Sequence, residues 1–173
     1  MNYTSLPYLT TIIIINFRNS YSIWAFEPEV GLVYFDTEYA DGKGNNVFYL
    51  STDYARTFQK LPNLESTDTT ATISPRIWPC MVLVGNKLMM VGGIGGSTIS
   101  TGRETYEMDL GPDQEWKSLP LMTTKRHRHM CSTVTTGAGE KEVVVVGGTF
   151  SNTATDSVEI YSVKNKEWRT GNN

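Results

Sequence analysis

Val91-Gly92-Gly93, followed by Glu104, Tyr106 and Trp116, has a counterpart later in the chain: Val146-Gly147-Gly148, followed by Glu159, Tyr161 and Trp168. In both copies the second glycine stands 11 residues before the Glu (93 to 104, 148 to 159) and 13 before the Tyr (93 to 106, 148 to 161). Two doublets with two partners in register mark one structural unit used more than once. A Gly-Gly at the end of a buried strand lets the backbone turn with positive φ and lets a neighbouring strand come close. A phosphate cradle is the functional alternative. It needs a helix and a Lys-Ser/Thr after the glycines, and neither doublet is followed by them.

The repeat extends towards the N-terminus. Ser5-Leu6-Pro7 matches Ser118-Leu119-Pro120, Thr10-Thr11 matches Thr123-Thr124, and Tyr3 falls on Trp116. Between them Leu61-Pro62 matches again, with Phe58 in the place of Trp116 and Phe48 in the place of Tyr106. There Leu32-Val33-Tyr34-Phe35 stands where the doublet should be. The chain therefore divides into 1–11, the tail of a preceding unit; 12–67, a degenerate unit; and 68–122 and 123–173, two well-formed units. With no body before Tyr3 and a stop just past Trp168, it reads as a fragment of a larger array.

Inside a unit the local signals are β. Met81-Val82-Leu83-Val84, the turn Gly85-Asn86 and Lys87 to Val91 spell strand, two-residue turn, strand. Cys131 to Thr135 and Glu142 to Val146 repeat this around a longer loop. A polar loop follows each doublet, then a third strand whose alternation puts Glu104, Tyr106 and Met108 on one face. A short edge strand carries the Trp. No stretch of ten residues or more has the period of an amphipathic helix.

The 173 residues suffice for a buried core, and 39% apolar with 19% charged residues argues against disorder. A net charge of −3 without a lysine-rich block argues against nucleic acid or an anionic membrane as partner. Ile12 to Ile15 is too short to span a bilayer and lacks the basic residues and cleavage site of a signal peptide. Two cysteines are too few for a disulfide-stapled scaffold and slightly favour the cytoplasm. Cys80 and Cys131 take similar places in successive units and read as small buried core residues; a bridge between neighbouring inner strands stays open as the alternative, without support in the sequence.

Arginines recur before each unit's first strand. Arg18 and Arg76 lie 16 residues before Tyr34 and Gly92, and Arg126 and Arg128 lie 21 and 19 before Gly147. Such a set would either bond neighbouring units internally or recognise acidic groups on a partner with its planar forks. His127, His129 and Cys131 alternate, and imidazole with thiolate suits zinc or copper. The stretch supplies no further ligand, and Lys125, Arg126 and Arg128 oppose a cation. No nucleophile elbow or metalloprotease helix is present, and Glu104 and Glu159 are repeat equivalents rather than a catalytic pair. Ser51-Thr52-Asp53-Tyr54-Ala55-Arg56-Thr57-Phe58 resembles the Asp-box of sialidases and related propellers, a hairpin-turn stabiliser, with Ala55 and Phe58 departing from its Gly and Trp.

Taken together, the doublets with Glu104, Tyr106, Trp116 and Glu159, Tyr161, Trp168 resemble kelch repeats. The resemblance implies an all-β fold of propeller blades, each of four antiparallel strands, with the doublet ending the second. Propellers close with about four to eight blades, so three visible units imply an incomplete or open ring. It also implies a non-catalytic protein-interaction module without a cofactor or metal, such as a substrate-recruiting adaptor of a ubiquitin ligase or an actin-associated scaffold. No BTB-like helical region accompanies it. Arg18, Arg76 and Arg128, with the loops after the doublets, would contact a protein or peptide ligand. Open blade edges would favour self-association. The competing expectation is a carbohydrate-active or carbohydrate-binding propeller, galactose-oxidase-like or sialidase-like. A third is a truncated chain without independent function.

Overall fold

The computed structural model of the chain describes residues 14–17, 20–27, 30–40, 43–53, 55–63, 76–95 and 102–171. These residues form strands and connections without a helix, in three main antiparallel sheets. Blade 1 contains β1 (Ile14–Phe17), β2 (Ser20–Glu27), β3 (Gly31–Ala40), β4 (Lys43–Ser51) and β5 (Gln59–Lys60) in that spatial order. The chain then makes β6 (Arg76–Ile77) and enters blade 2. This blade is β7 (Cys80–Val84), β8 (Lys87–Val91), β10 (Thr105–Asp109) and β11 (Trp116–Leu119), with β9 (Ile94–Gly95) paired to β6 at its end. Blade 3 is β12 (Met130–Thr135), β13 (Lys141–Val146), β16 (Val158–Ser162) and β17 (Glu167–Thr170). A small hairpin of β14 (Thr149–Phe150) and β15 (Thr153–Ala154) follows its doublet. Blades 2 and 3 have the expected four strands. Blade 1 has a fifth because β1 pairs along the inner edge of β2, an unpaired ladder that a neighbouring extended segment readily occupies.

The inner strands β2, β7 and β12 lie side by side, so the sheets meet face to face. Alternation along blade 2 then feeds two interfaces. Met81, Leu83, Leu88, Met90, Tyr106 and Met108 pack against blade 1, on Ala25, Val33, Phe35, Phe48 and Leu61. Cys80, Val82, Val84, Met89 and Val91 pack against blade 3, on Cys131, Val143, Val145 and Tyr161. Burial on both faces explains why β7 is apolar throughout rather than alternately polar. Side-chain burial of this kind contributes roughly 25 cal/mol per Å² of apolar surface, and each interface needs both sheets to supply it.

The doublets end the second strand, as the spacing implies. β8 stops at Val91 and β13 at Val146, and Gly92, Gly93, Gly147 and Gly148 all have positive φ. Blade 1 has no doublet, and β3 and β4 run on together as a longer two-stranded arm, with Ala40 paired to Lys43. Its register also corrects one equivalence. Phe48, aligned with Tyr106 by spacing, faces the next blade and packs 5.0 Å from the Trp116 ring, whereas Tyr106 faces the preceding one. A slip of one residue reverses the face.

Cys80 and Cys131 are buried core residues, as expected, and the structure adds the bridge that the sequence alone did not support: they form a disulfide, with Cα atoms 6.0 Å apart. Cys80 pairs with Val91, just before the first doublet, while Met130 pairs with Val146, just before the second. Cys80 therefore corresponds to Met130, and Cys131 stands one residue further on. That offset turns Cys80 towards blade 3 and Cys131 towards blade 2, so the two sulfurs meet.

The Asp-box-like stretch makes the turn between β4 and β5. Asp53 accepts the Thr57 N–H at 2.9 Å, the Thr57 hydroxyl at 2.7 Å and the Arg56 N–H at 3.1 Å, while Ser51 Oγ accepts the Ala55 N–H at 2.9 Å. Ala55 takes a φ of 64°, the conformation for which the motif's usual glycine is suited.

Candidate functional site at the doublet end

Two buried arginines organise this end of the blades. Arg76 is 1% exposed and donates from Nε to the Gly92 carbonyl (2.6 Å), and from Nη2 to the Gly93 carbonyl (3.0 Å) and to Glu104 (2.6 Å). Its guanidinium also lies 5.7 Å from the Tyr106 ring centroid. Asn46 of blade 1 closes over its backbone, accepting the Arg76 N–H at 2.5 Å and donating to the Arg76 carbonyl at 2.8 Å. Arg126 does the same work in blade 3. It donates to the carbonyls of Gly147 (2.8 Å) and Ser157 (3.0 Å), to Ser157 Oγ (2.7 Å) and to Glu159 (2.9 Å). Glu159 in turn accepts the N–H groups of Thr123 and Thr124 at 2.7 and 2.9 Å.

The carbonyls that a doublet's turn strands inside the protein are thus met by charged donors, and each buried cation by a carboxylate. This places the recurring glutamates as partners of the arginines. It also removes Arg76 from the surface where a ligand could reach it. The counterpart of Arg76 is Arg126, since both reach the doublet of their own blade. Arg18 lies outside the described residues.

Arg128 is placed differently. It is exposed, with φ 55°, and its guanidinium carbon lies 3.8 Å from the centroid of the Trp78 ring. Trp78 stands two residues after Arg76, as Arg128 stands two after Arg126, and it has nearly the same φ, 54°. The two blades therefore make the same backbone kink and stack the side chains that leave it. The Arg128 N–H donates to the Trp78 carbonyl at 3.2 Å, and the His127 ring lies 5.3 Å from that of Trp78. Nearby, Lys125 holds its ammonium 5.2 Å above the Phe150 ring. In sequence this stack leaves one trace, the spacing of Trp78 and Arg128 from the two arginines, and Trp78 itself carries no motif.

His127 and His129 do not assemble a metal site with Cys131, whose sulfur is bonded to Cys80. Among the described residues no group of three His, Cys, Asp or Glu side chains could hold a metal ion. His127 bridges by its backbone to Thr149, with N–H to carbonyl bonds of 2.9 Å in both directions. His129 is buried beneath the doublets. A Cβ on Gly92 would come 2.6 Å from its ring, and one on Gly148 would come 2.8 Å from its Cβ. Burial holds the His129 imidazole neutral, with a pKa pushed down to about 3, and the Arg126 charge adds to this.

The outer strands complete the seams. Trp168 donates its indole N–H to the Pro120 carbonyl at 2.9 Å, and Trp116 donates to the Pro62 carbonyl at 3.5 Å. Leu61-Pro62 and Leu119-Pro120 are the repeated dipeptides, so each indole reaches the exit of the preceding blade.

Residues 130–173 match the Kelch motif. The matched stretch is blade 3 from its inner strand outward. The chain is also similar to a solved structure, a novel fungal alcohol oxidase with catalytic diversity among the AA5 family, in complex with copper. The TM-score is 0.53 at 22% identity, over 84% of this chain and 29% of that one. This likeness is one of fold, and the chain spans well under half of that protein. No curated protein sequence matches the chain.

Proposed function

We propose that the chain is a non-catalytic protein-interaction module that presents the doublet end of blades 2 and 3 to a protein or peptide. The observation that carries this reading is the Arg128–Trp78 stack, an exposed guanidinium held in place by an aromatic ring and by its own backbone bond. A cation so held loses little rotamer freedom on binding and keeps donors for carboxylate or carbonyl groups. Lys125 above Phe150 adds a second cation of the same kind. The test is peptide selection on the full chain, followed by measurement on Arg128→Ala and Trp78→Ala. Selected peptides should lose at least about tenfold in affinity with an unchanged Tm. Unchanged affinity in both variants would remove the support.

A second reading, a propeller-type carbohydrate-active or carbohydrate-binding domain, has the shared fold with the copper-bound alcohol oxidase behind it. Stoichiometric copper in the purified chain, or glycan binding on an array, would favour it over the first. The outward face of blade 3 supports a further partner, a second copy of the chain. There Met130, Val134 and Val146 are 71%, 39% and 44% exposed at the positions where blade 2 buries Cys80, Val84 and Val91.

A further inference from the structure

We propose that the Cys80–Cys131 disulfide is a redox clamp on the seam between blades 2 and 3, and that the chain matures in an oxidising compartment. The cysteines sit on β7 and β12, inner strands of different sheets that exchange no backbone ladder with each other. They reach bonding distance only when the two blades have docked, so closing the bond fixes a docking already made. Both are buried, 6% and 3% exposed, within the apolar cluster of that seam. They are also the two cysteines of the whole chain, which leaves no competing pairing. Such a bond persists where the thiol pool is oxidised and is rare where it is reduced.

The chemistry closes without a protein-borne oxidant. One thiol, as thiolate, attacks a small disulfide of the compartment, such as glutathione disulfide, and forms a mixed disulfide while the first glutathione leaves as a thiol. The second cysteine then attacks the protein sulfur and releases the second glutathione. Two protein thiols become one disulfide, and one glutathione disulfide becomes two thiols.

The clamp acts on the surface above it. Trp78 lies two residues before Cys80, and Arg128 three before Cys131, so the bond ties the two halves of the stack together within a few residues. Besides the disulfide, the seam is held by side-chain packing, the Trp168–Pro120 bond, the Thr133 hydroxyl on the Leu83 carbonyl (2.8 Å), and backbone N–H bonds from Gly93 to the Arg126 carbonyl (3.0 Å), from Arg126 to the Gly102 carbonyl (3.0 Å) and from Arg128 to the Trp78 carbonyl (3.2 Å). This inference concerns thiol state and seam opening, and it stands whether or not the stack binds a peptide.

The full chain, made in an oxidising host and purified without reductant, is to be unfolded in guanidinium and alkylated. No mass gain is expected before reduction and two adducts after it; two adducts without reduction would overturn the proposal. Dithiothreitol should lower Tm by about 10 °C, as the loss of a cross-link over a loop of this size implies. Hydrogen exchange at the Arg128 amide should rise at least about tenfold, while β16 amides change less. The double variant Cys80→Ala, Cys131→Ala should match the reduced protein and ignore reductant. Should it fail to fold, the reduced and oxidised wild type still decide the matter, because unchanged Tm and unchanged Arg128 exchange would refute the clamp.

Discussion

Arg126 has no exposed surface, and its partner Glu159 is 2% exposed. Removing the guanidinium would leave that carboxylate buried with the two threonine N–H groups alone, and would take the charged donor from the Gly147 carbonyl. Arg126→Ala should therefore cost about 3–5 kcal/mol in guanidinium unfolding, far more than a surface arginine. His129 sets a pH dependence. Its folded pKa of about 3 lies below the ordinary histidine value of 6.5, so the unfolded chain takes up a proton that the folded one refuses. The sign follows: stability is unaffected above about pH 6.5 and falls below it, by up to about 1.4 kcal/mol per pH unit, until the folded group itself titrates. His129→Gln should flatten that slope in unfolding curves between pH 6.5 and 4. At Ala55, relief of the left-handed backbone outweighs the added chain entropy, and Ala55→Gly should raise stability by about 0.5 kcal/mol. Single residues were legible in the sequence to the extent that their partners were close in register. Recurrence showed Glu104 and Glu159 to be equivalent, but not whether they stand exposed or bridge the recurring arginines. Whether Arg76 pointed inward could not be read either, because the carbonyls it satisfies exist as acceptors only after the doublet turns.

The doublet is the element that separates blades 2 and 3 from blade 1, in which β3 and β4 run on as a longer arm. Gly93 and Gly148 sit where a Cβ would meet backbone atoms, the Ile77 carbonyl oxygen at 2.9 Å and the His127 carbonyl oxygen at 2.8 Å. Their positive φ adds backbone strain for any side chain. Gly148→Ala should cost at least about 2 kcal/mol and speed exchange at the His127 and Thr149 amides, as followed by denaturant melts and mass spectrometry. Strand order, turn positions and the face of each marker followed from spacing, because a period of two survives small shifts. Blades 2 and 3 pair their second and third strands two residues apart in register relative to the doublet, Tyr106 opposite Met90 but Tyr161 opposite Val143, and the faces are still preserved. Blade 1 was the element least legible. A one-residue slip at Phe48 and the run of β3 past the missing doublet leave no mark in composition. The disulfide stayed an unsupported alternative for the same reason, since two cysteines that seemed equivalent were one residue apart in register.

At the scale of the molecule, the sheets form a series with one seam between each consecutive pair and an apolar face on blade 3 beyond the last seam. That face should make the chain associate with concentration. Sedimentation velocity should show a species of twice the mass that Met130→Lys with Val146→Lys removes, and a monomer at all concentrations in the wild type would exclude it. The indole bonds give the series a direction. Trp168 and Trp116 both reach back to a proline carbonyl that precedes them by 48 and 54 residues. Phe58, at the corresponding place in blade 1, carries no side-chain N–H. On a ribosome, where the chain emerges from its N-terminus, every such acceptor is already outside the tunnel before its donor is made. A newly finished blade can fasten to its predecessor at once, with no strand held waiting for sequence still to come, so that assembly keeps pace with synthesis.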